Sequence, residues 1–165
     1  MPVTYSTITT TTLGSNQSTV TFSSFGGYTD LRMVLNFKNT AGGLAIRPNS
    51  NTSSIYSITR LSGNGSAASS GRLGTADLGG TGWYVPNVFC STTNFNLITV
   101  DVMNYTNTTT FKTILVRAND SADTVGEIVA LAQTTSAITS LELSCDAGGQ
   151  LASGTTITLY GIAAA

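Results

Sequence analysis

From Leu31 to Lys38 the side chains alternate: Leu31, Met33, Leu35 and Phe37 fall on one face, Arg32, Asn36 and Lys38 on the other. A repeat of two marks a half-buried strand, because successive side chains of an extended chain point to opposite sides. Just upstream, Val20 and Phe22 alternate with Thr19 and Thr21, and Phe25-Gly-Gly-Tyr28 breaks the extended run. Residues 20–38 therefore read as strand, tight turn and longer strand, a core strand pair.

The rest of the chain follows the same rule in shorter pieces. Residues 1–13 are extended and Thr-rich, a β-prone arm able to pair with its own sheet or a neighbour's. Leu44–Arg47 is a short strand that Pro48 ends or places at an edge, and Ser54–Leu61 is another. Residues 62–82 carry glycine and serine throughout and read as a long surface loop or a weak excursion, not a domain linker, since both flanks look like the same sheet. Trp83–Cys90 is aromatic and interrupted by Pro86, so it reads as an edge strand or a loop covering the core. Asn94–Tyr105 is apolar on both faces in its middle, which predicts a central strand, and Phe111–Arg117 returns antiparallel to it. Residues 124–137 fit two patterns. Thr124-Val-Gly-Glu127 resembles a helix capping box, yet Val125, Glu127, Val129 and Leu131 alternate, and the β flanks favour a strand. Ile138–Cys145 and Thr155–Ile162 close the series.

About nine or ten short antiparallel strands result, with turn signals every 8–15 residues or so. One open sheet that wide curls or splits. The expected fold is all-β, a two-sheet β-sandwich of jelly-roll type, as a single domain over 1–165 with 1–13 as a possible extended N-terminal arm.

Composition changes this picture in one respect. Charged residues make up 9% of the chain, against about 25% in ordinary domains. Hydroxyls replace them: the chain has 29 Thr and 19 Ser. Such a surface repels its neighbours little and suits a protein packed among others. The net charge is −1 and the seven basic residues form no cluster, which argues against nucleic acid. No apolar run approaches the ~20 residues of a membrane span. Met1-Pro-Val-Thr-Tyr5 has neither the basic start nor the apolar core of a secretory signal. The expectation is a product made in the cytosol, with Cys90 and Cys145 as free thiols.

Catalytic chemistry is thin. The chain has no histidine, which removes Ser-His-Asp and Cys-His catalysis and His-based metal sites. The two cysteines make no zinc knuckle. The glycines at 63, 65, 79, 80 and 82 read as turn glycines, not as a phosphate cradle. Asp101 and Arg117, on partner strands, read as a cross-strand ion pair. Asp120 and Asp123, without further acidic neighbours, make a poor calcium site. The reading is no enzyme, no cofactor and no metal. The best sugar platform is Trp83 with Tyr84, although aromatics beside a proline more often cover a core edge.

Several segments carry a resemblance. Thr12-Leu-Gly-Ser15, Ser18-Thr-Val-Thr-Phe-Ser-Ser-Phe25 and Tyr28-Thr-Asp-Leu31 open it. Arg47-Pro-Asn49, Leu61-Ser-Gly-Asn-Gly-Ser66 and Asp101-Val-Met-Asn-Tyr105 continue it, and Leu151-Ala-Ser-Gly-Thr-Thr-Ile-Thr-Leu-Tyr-Gly-Ile162 closes it. Together the chain resembles a group of small virion structural proteins of tailed bacteriophages. That resemblance implies a virion component made in the host cytoplasm, and among its roles a capsid decoration (cement) protein comes first. The implied partners are other virion proteins, the major capsid protein above all, with the chain itself a homotrimer. The alternative is a tail- or fibre-associated protein that binds a host glycan. The candidate contact residues are Val3, Tyr5 and Ile8 of the arm, and Trp83 and Tyr84.

Overall fold

A computed structural model describes residues 5–75 and 81–163. Among these, twelve strands form: β1 (Tyr5–Thr12), β2 (Thr19–Ser23), β3 (Asp30–Phe37), β4 (Leu44–Pro48), β5 (Tyr56–Gly63), β6 (Ala68–Leu73), β7 (Trp83–Val85), β8 (Asn96–Val102), β9 (Lys112–Asn119), β10 (Val125–Ala132), β11 (Ser140–Cys145) and β12 (Thr156–Ile162). A single 3-10 turn, Asn87–Phe89, follows β7.

The strands make two antiparallel sheets. The larger has eight strands in the order β1-β12-β3-β8-β9-β10-β5-β6, and the smaller has four, β2-β11-β4-β7. Within them lies a jelly roll. β1, β12, β3 and β8 belong to one sheet, and β2, β11, β4 and β7 to the other. The chain crosses between sheets at β1 to β2, β2 to β3, β3 to β4, β4 to β5, β6 to β7, β7 to β8, β10 to β11 and β11 to β12. Two hairpins of the large sheet are inserted into this path, β5-β6 between β4 and β7 and β9-β10 between β8 and β11, and β10 pairs with β5 to extend the large sheet. The strand count exceeds the expected one because β6 forms inside the Gly/Ser-rich stretch and Trp83–Val85 is a strand, β7, and not a loop. Asn64 makes the tight connection there, its Oδ1 accepting the Ser66 and Ala67 amides.

The core is the space between the sheets. On β3 the alternation expected from sequence is realised: Leu31, Met33, Leu35 and Phe37 are all fully buried. The small sheet answers with Leu141, Leu143, Leu44, Ile46 and Trp83. The inner face continues under the extension through Ile114, Val116, Ile128, Ala130, Tyr56 and Ile58. β7 lies against β10 and β5, so the large sheet reaches past the small one and closes on its β7 edge.

Three expectations are corrected. β2 and β3 are not a strand pair, since they lie in opposite sheets. Residues 24–29 are the corner between the sheets, with Ser24 and Gly27 at positive φ (62° and 83°). Phe25 plugs that corner. It is buried, its carbonyl accepts the Tyr105 hydroxyl at 3.1 Å, and the two rings meet edge-on at 5.6 Å. The flanks of residues 62–82 also belong to different sheets, β5 to the large one and β7 to the small one. Finally, Asp101 pairs with Arg32 on β3 (2.5 and 2.9 Å), not with Arg117. In the β8–β9 register Asp101 sits opposite Leu115, and Arg117 sits opposite Thr99 and turns to Glu127 on β10 at 2.9 Å.

Candidate interaction surfaces

The sequence-predicted contact residues fall in two places, and Val3 lies outside the described residues. Tyr5 and Ile8 belong to β1, the end strand of the large sheet, whose one neighbour is β12. Over Tyr5–Thr12 the N-terminal segment is therefore a strand of the protein's own sheet. Tyr5 faces out and stacks on Tyr160, with ring centroids 4.8 Å apart. Thr7 pairs with Tyr160 and Thr9 with Leu159, so Ile8 falls on a bulge and turns its half-buried side chain to the core. Outward hydroxyls bridge the ladder at Thr10–Thr158 (3.1 Å) and Thr12–Thr156 (2.9 Å). β7 closes on the extension at the far end of the small sheet, so β2 ends that sheet on the side of β1. Neither edge strand carries a charge, for Asp30 is the first charged residue of the chain. Natural edge strands are usually blunted by charge or proline. β1 and β2 have neither between Tyr5 and Ser23.

Trp83 is not a surface aromatic. It is 0% exposed, opposite Ile46 on β4, with its ring inside the sandwich. Alternation puts Trp83 and Val85 inward and Tyr84 outward. Tyr84 lies half-buried across the outer face of the small sheet, and its hydroxyl donates to Asp146 Oδ2 at 2.7 Å. The other carboxylate oxygen accepts the Gly43 amide at 2.6 Å. Burial, and then the Asp146 hydrogen bond, push the Tyr84 hydroxyl well above the ordinary phenol range. Cys90 and Cys145 are free thiols, each pushed up to about 12, chiefly by burial. They are protonated at neutral pH and make poor nucleophiles.

Among the described residues the carboxylates are occupied with structure. Glu142 accepts Arg47 at 3.0 Å, and the same guanidinium reaches Ser144 at 2.6 Å. Asp120 Oδ1 accepts the amides of Ala122, Asp123 and Thr124, which closes the β9–β10 turn and holds this carboxyl below the usual range against the opposing effect of burial. Asp30 accepts the Asn104 amide at 2.5 Å. Lys112 is buried and donates to the carbonyls of Asn107 and Thr110, fixing the β8–β9 connection. Among the described residues no three Asp, Glu or Cys side chains converge as metal ligands would.

A second surface was not singled out from sequence. The outer face of the extended large sheet carries Leu61 (61% exposed), Val125 (60%), Leu97 (56%) and Val129 (53%), with half-buried Leu115 and Leu131 among them. The registers set them in rows. Asn119, Val125 and Gly63 stand side by side, then Arg117, Glu127 and Leu61, then Leu115, Val129 and Thr59. An open hollow of about 560 Å³ lies over Leu61, Gly63, Ala68 and Val125. Contiguous exposed apolar area of this kind marks contact sites more often than it occurs by chance.

No protein-family model matches the chain, and no curated protein matches it. Among solved structures, exo-inulinase from Aspergillus awamori is similar over 99% of this chain and 29% of its own, with 13% identity and a TM-score of 0.41. This chain thus spans under a third of that enzyme's length, and a likeness so loose carries no argument about what this chain does.

Two outcomes follow from the burial. Trp83→Ala lowers unfolding free energy by about 3–5 kcal/mol, the cost of emptying an aromatic site in a core. Leu61→Ala, on the surface, stays within about 0.5 kcal/mol. Urea denaturation of both variants checks this, and equal small losses contradict the placement of Trp83. The second concerns pH. Cys90, Cys145 and Tyr56 hold their protons to about 12 in the folded chain. In the unfolded chain thiols ionise near ~8.5 and phenols near ~10. The stability they lend is complete below ~8.5 and is lost as pH rises toward ~12. The thermal midpoint is therefore level up to about pH 8 and falls above it, less steeply in a Cys90→Ser/Cys145→Ser variant. A midpoint still level at about pH 11 contradicts the burial of these groups.

Proposed function

We propose that the chain is a virion structural protein of a tailed bacteriophage, a decoration protein that cements the outside of the capsid shell. The observation that carries this reading is the side of the sandwich where β1 and β2, two strands without charge, end the two sheets. An open edge is a row of unpaired amides and carbonyls, and a strand from a neighbouring chain completes it by β-augmentation. On most soluble proteins such an edge is a hazard and is guarded. Here the hydroxyl ladder of β1 and the absence of charge through Thr29 leave it open. The sequence resemblance to small phage virion proteins points the same way, and a jelly roll is one of the folds from which viral shells are built.

The mechanism is structural. A rigid sandwich lies across a junction between capsid subunits, its edge extends a sheet into the shell, and hydroxyl and apolar contacts hold it with little ionic contribution. The tail-associated, glycan-binding alternative has less support, because its candidate platform at Trp83 is inside the core.

Quantitative mass spectrometry of purified particles decides between the two. Hundreds of copies per virion fit decoration, whereas a few to dozens place the protein in the tail and overturn the reading. On isolated capsids, binding survives washing at about 1 M salt, where the screening length is only about 3 Å. Release at moderate salt contradicts it. Thr7→Lys/Thr10→Lys, at exposed positions of β1, leaves domain stability within about 1 kcal/mol while sharply lowering capsid occupancy. Unchanged occupancy removes the β1 edge from the mechanism.

A further inference from the structure

We propose that two copies of this chain pack face to face through the outer surface of β8, β9, β10 and β5. This inference does not rest on the virion reading, since it comes from the registers of the extended sheet alone.

The surface is its own complement about the seam between β9 and β10. Let a two-fold axis lie in the interface, parallel to the strands and along that seam. The axis lays β9 of one copy over β10 of the other, and β8 over β5. Leu115 then meets Val129 of the partner subunit, because these two are register partners across the seam. Arg117 meets Glu127 of the partner subunit for the same reason. Within one copy these charges already pair at 2.9 Å and are more than half exposed. In the dimer they become four alternating charges that sum to zero, which removes the penalty of covering a lone ion.

The flanks fit as well. The Leu97 amide donates to Asn119 Oδ1, which sets Leu97 in the row of Asn119, Val125 and Gly63. The axis carries exposed Leu97 onto Gly63 of the partner subunit, at the floor of the hollow of about 560 Å³. Glycine leaves that place open, and only the Ala67 carbonyl lies within 4 Å of where a side chain would begin. A projecting leucine therefore enters a lined hollow twice over, once from each copy.

The size agrees with a reversible pair. Four strands at ~4.8 Å spacing and about seven residues at ~3.4 Å each give roughly 450 Å² of projected face per copy. Both copies together cover about 900 Å², about a quarter below the ~1,200 Å² where stable specific interfaces begin and in the range of weak, transient pairs, before side-chain relief is added. Aligned sheet-on-sheet packing is a standard geometry for faces of this kind. The arrangement makes a dimer, where the resemblance to phage virion proteins implies three copies.

Sedimentation equilibrium on the full chain tests this, with circular dichroism as the check on folding. The wild type is a concentration-dependent dimer. Val129→Lys, at an exposed position, weakens self-association by at least about tenfold while leaving the thermal midpoint in place. Glu127→Arg weakens it as well, and the swap Arg117→Glu/Glu127→Arg restores it, because the alternation of charge returns. A wild type that stays monomeric, a trimer, or a dimer indifferent to Val129→Lys overturns the proposal. So does a monomer whose binding to capsids is lost on Val129→Lys, which would give this face to the shell instead.

Discussion

The inner face of β3 is the constraint on which the rest depends. Leu31, Met33, Leu35 and Phe37 are buried on a strand paired on both sides, by β12 and β8. Fully burying such side chains contributes about 1.5–3 kcal/mol each, so the four together amount to roughly 6–12 kcal/mol. That is comparable to the whole net stability of a domain, about 5–15 kcal/mol. Once this row needs cover, the four-stranded sheet must lie over it, and the chain must cross between sheets to build both walls. The crossings are then structural parts in their own right. Phe25 and Tyr105 seal one corner. Asn49 ties the end of β4 to the start of β11, its Oδ1 accepting the Thr139 and Ser140 amides while Nδ2 donates to the Ala137 carbonyl.

Scarcity of charge shapes how those parts are held. The three ion pairs among the described residues all join strands adjacent in a sheet: Arg32 with Asp101, Arg47 with Glu142, and Arg117 with Glu127. Where side chains rather than other backbone groups satisfy loop amides and carbonyls, most are amides and hydroxyls. Thr155 accepts the Lys38 amide and donates to the Lys38 carbonyl, and Asn107 Oδ1 accepts both the Thr109 and Thr110 amides. Neutral caps of this kind stabilise by about 1 kcal/mol apiece without adding surface charge. A fold assembled this way can be rigid and still present neutral faces to neighbours.

Strand periodicity was legible in the sequence, and sheet membership was not. The alternation on β3 reports which side chains face a core, and those positions are buried as expected. It says nothing about which strand lies beside which. The segment 20–38 therefore looked like a pair, although its two strands sit on opposite walls. The partner of Asp101 is hidden from the sequence for the same reason: β8 has two neighbours, β3 and β9, and chain order favours the one joined by a short connection. Trp83 could have been placed by its own neighbours, since Trp83 and Val85 share a face and Tyr84 takes the other. The exposed strip left a trace too. Residues 124–137 were ambiguous between helix and strand because β10 is apolar on both faces. Ile128 and Ala130 line the core, while Val125 and Val129 lie on the outer surface.

The two proposed contacts act along different directions, which lets one molecule use both. Pairing at the β1 edge lengthens the large sheet in its own plane. Packing through β8, β9, β10 and β5 stacks a second layer perpendicular to it. The strip begins three strands away from β1, with β12 and β3 between. At ~4.8 Å per strand that is about 14 Å, beyond a screening length of about 8 Å in physiological salt. Contacts at such a distance with no shared partners are close to additive. A substitution such as Val129→Lys therefore reads the face alone, and a lysine on β1 reads the edge alone. That separation follows from the inserted β9-β10 and β5-β6 hairpins, which widen this wall from the four strands of the jelly roll to eight and create most of the outer face that the strip occupies.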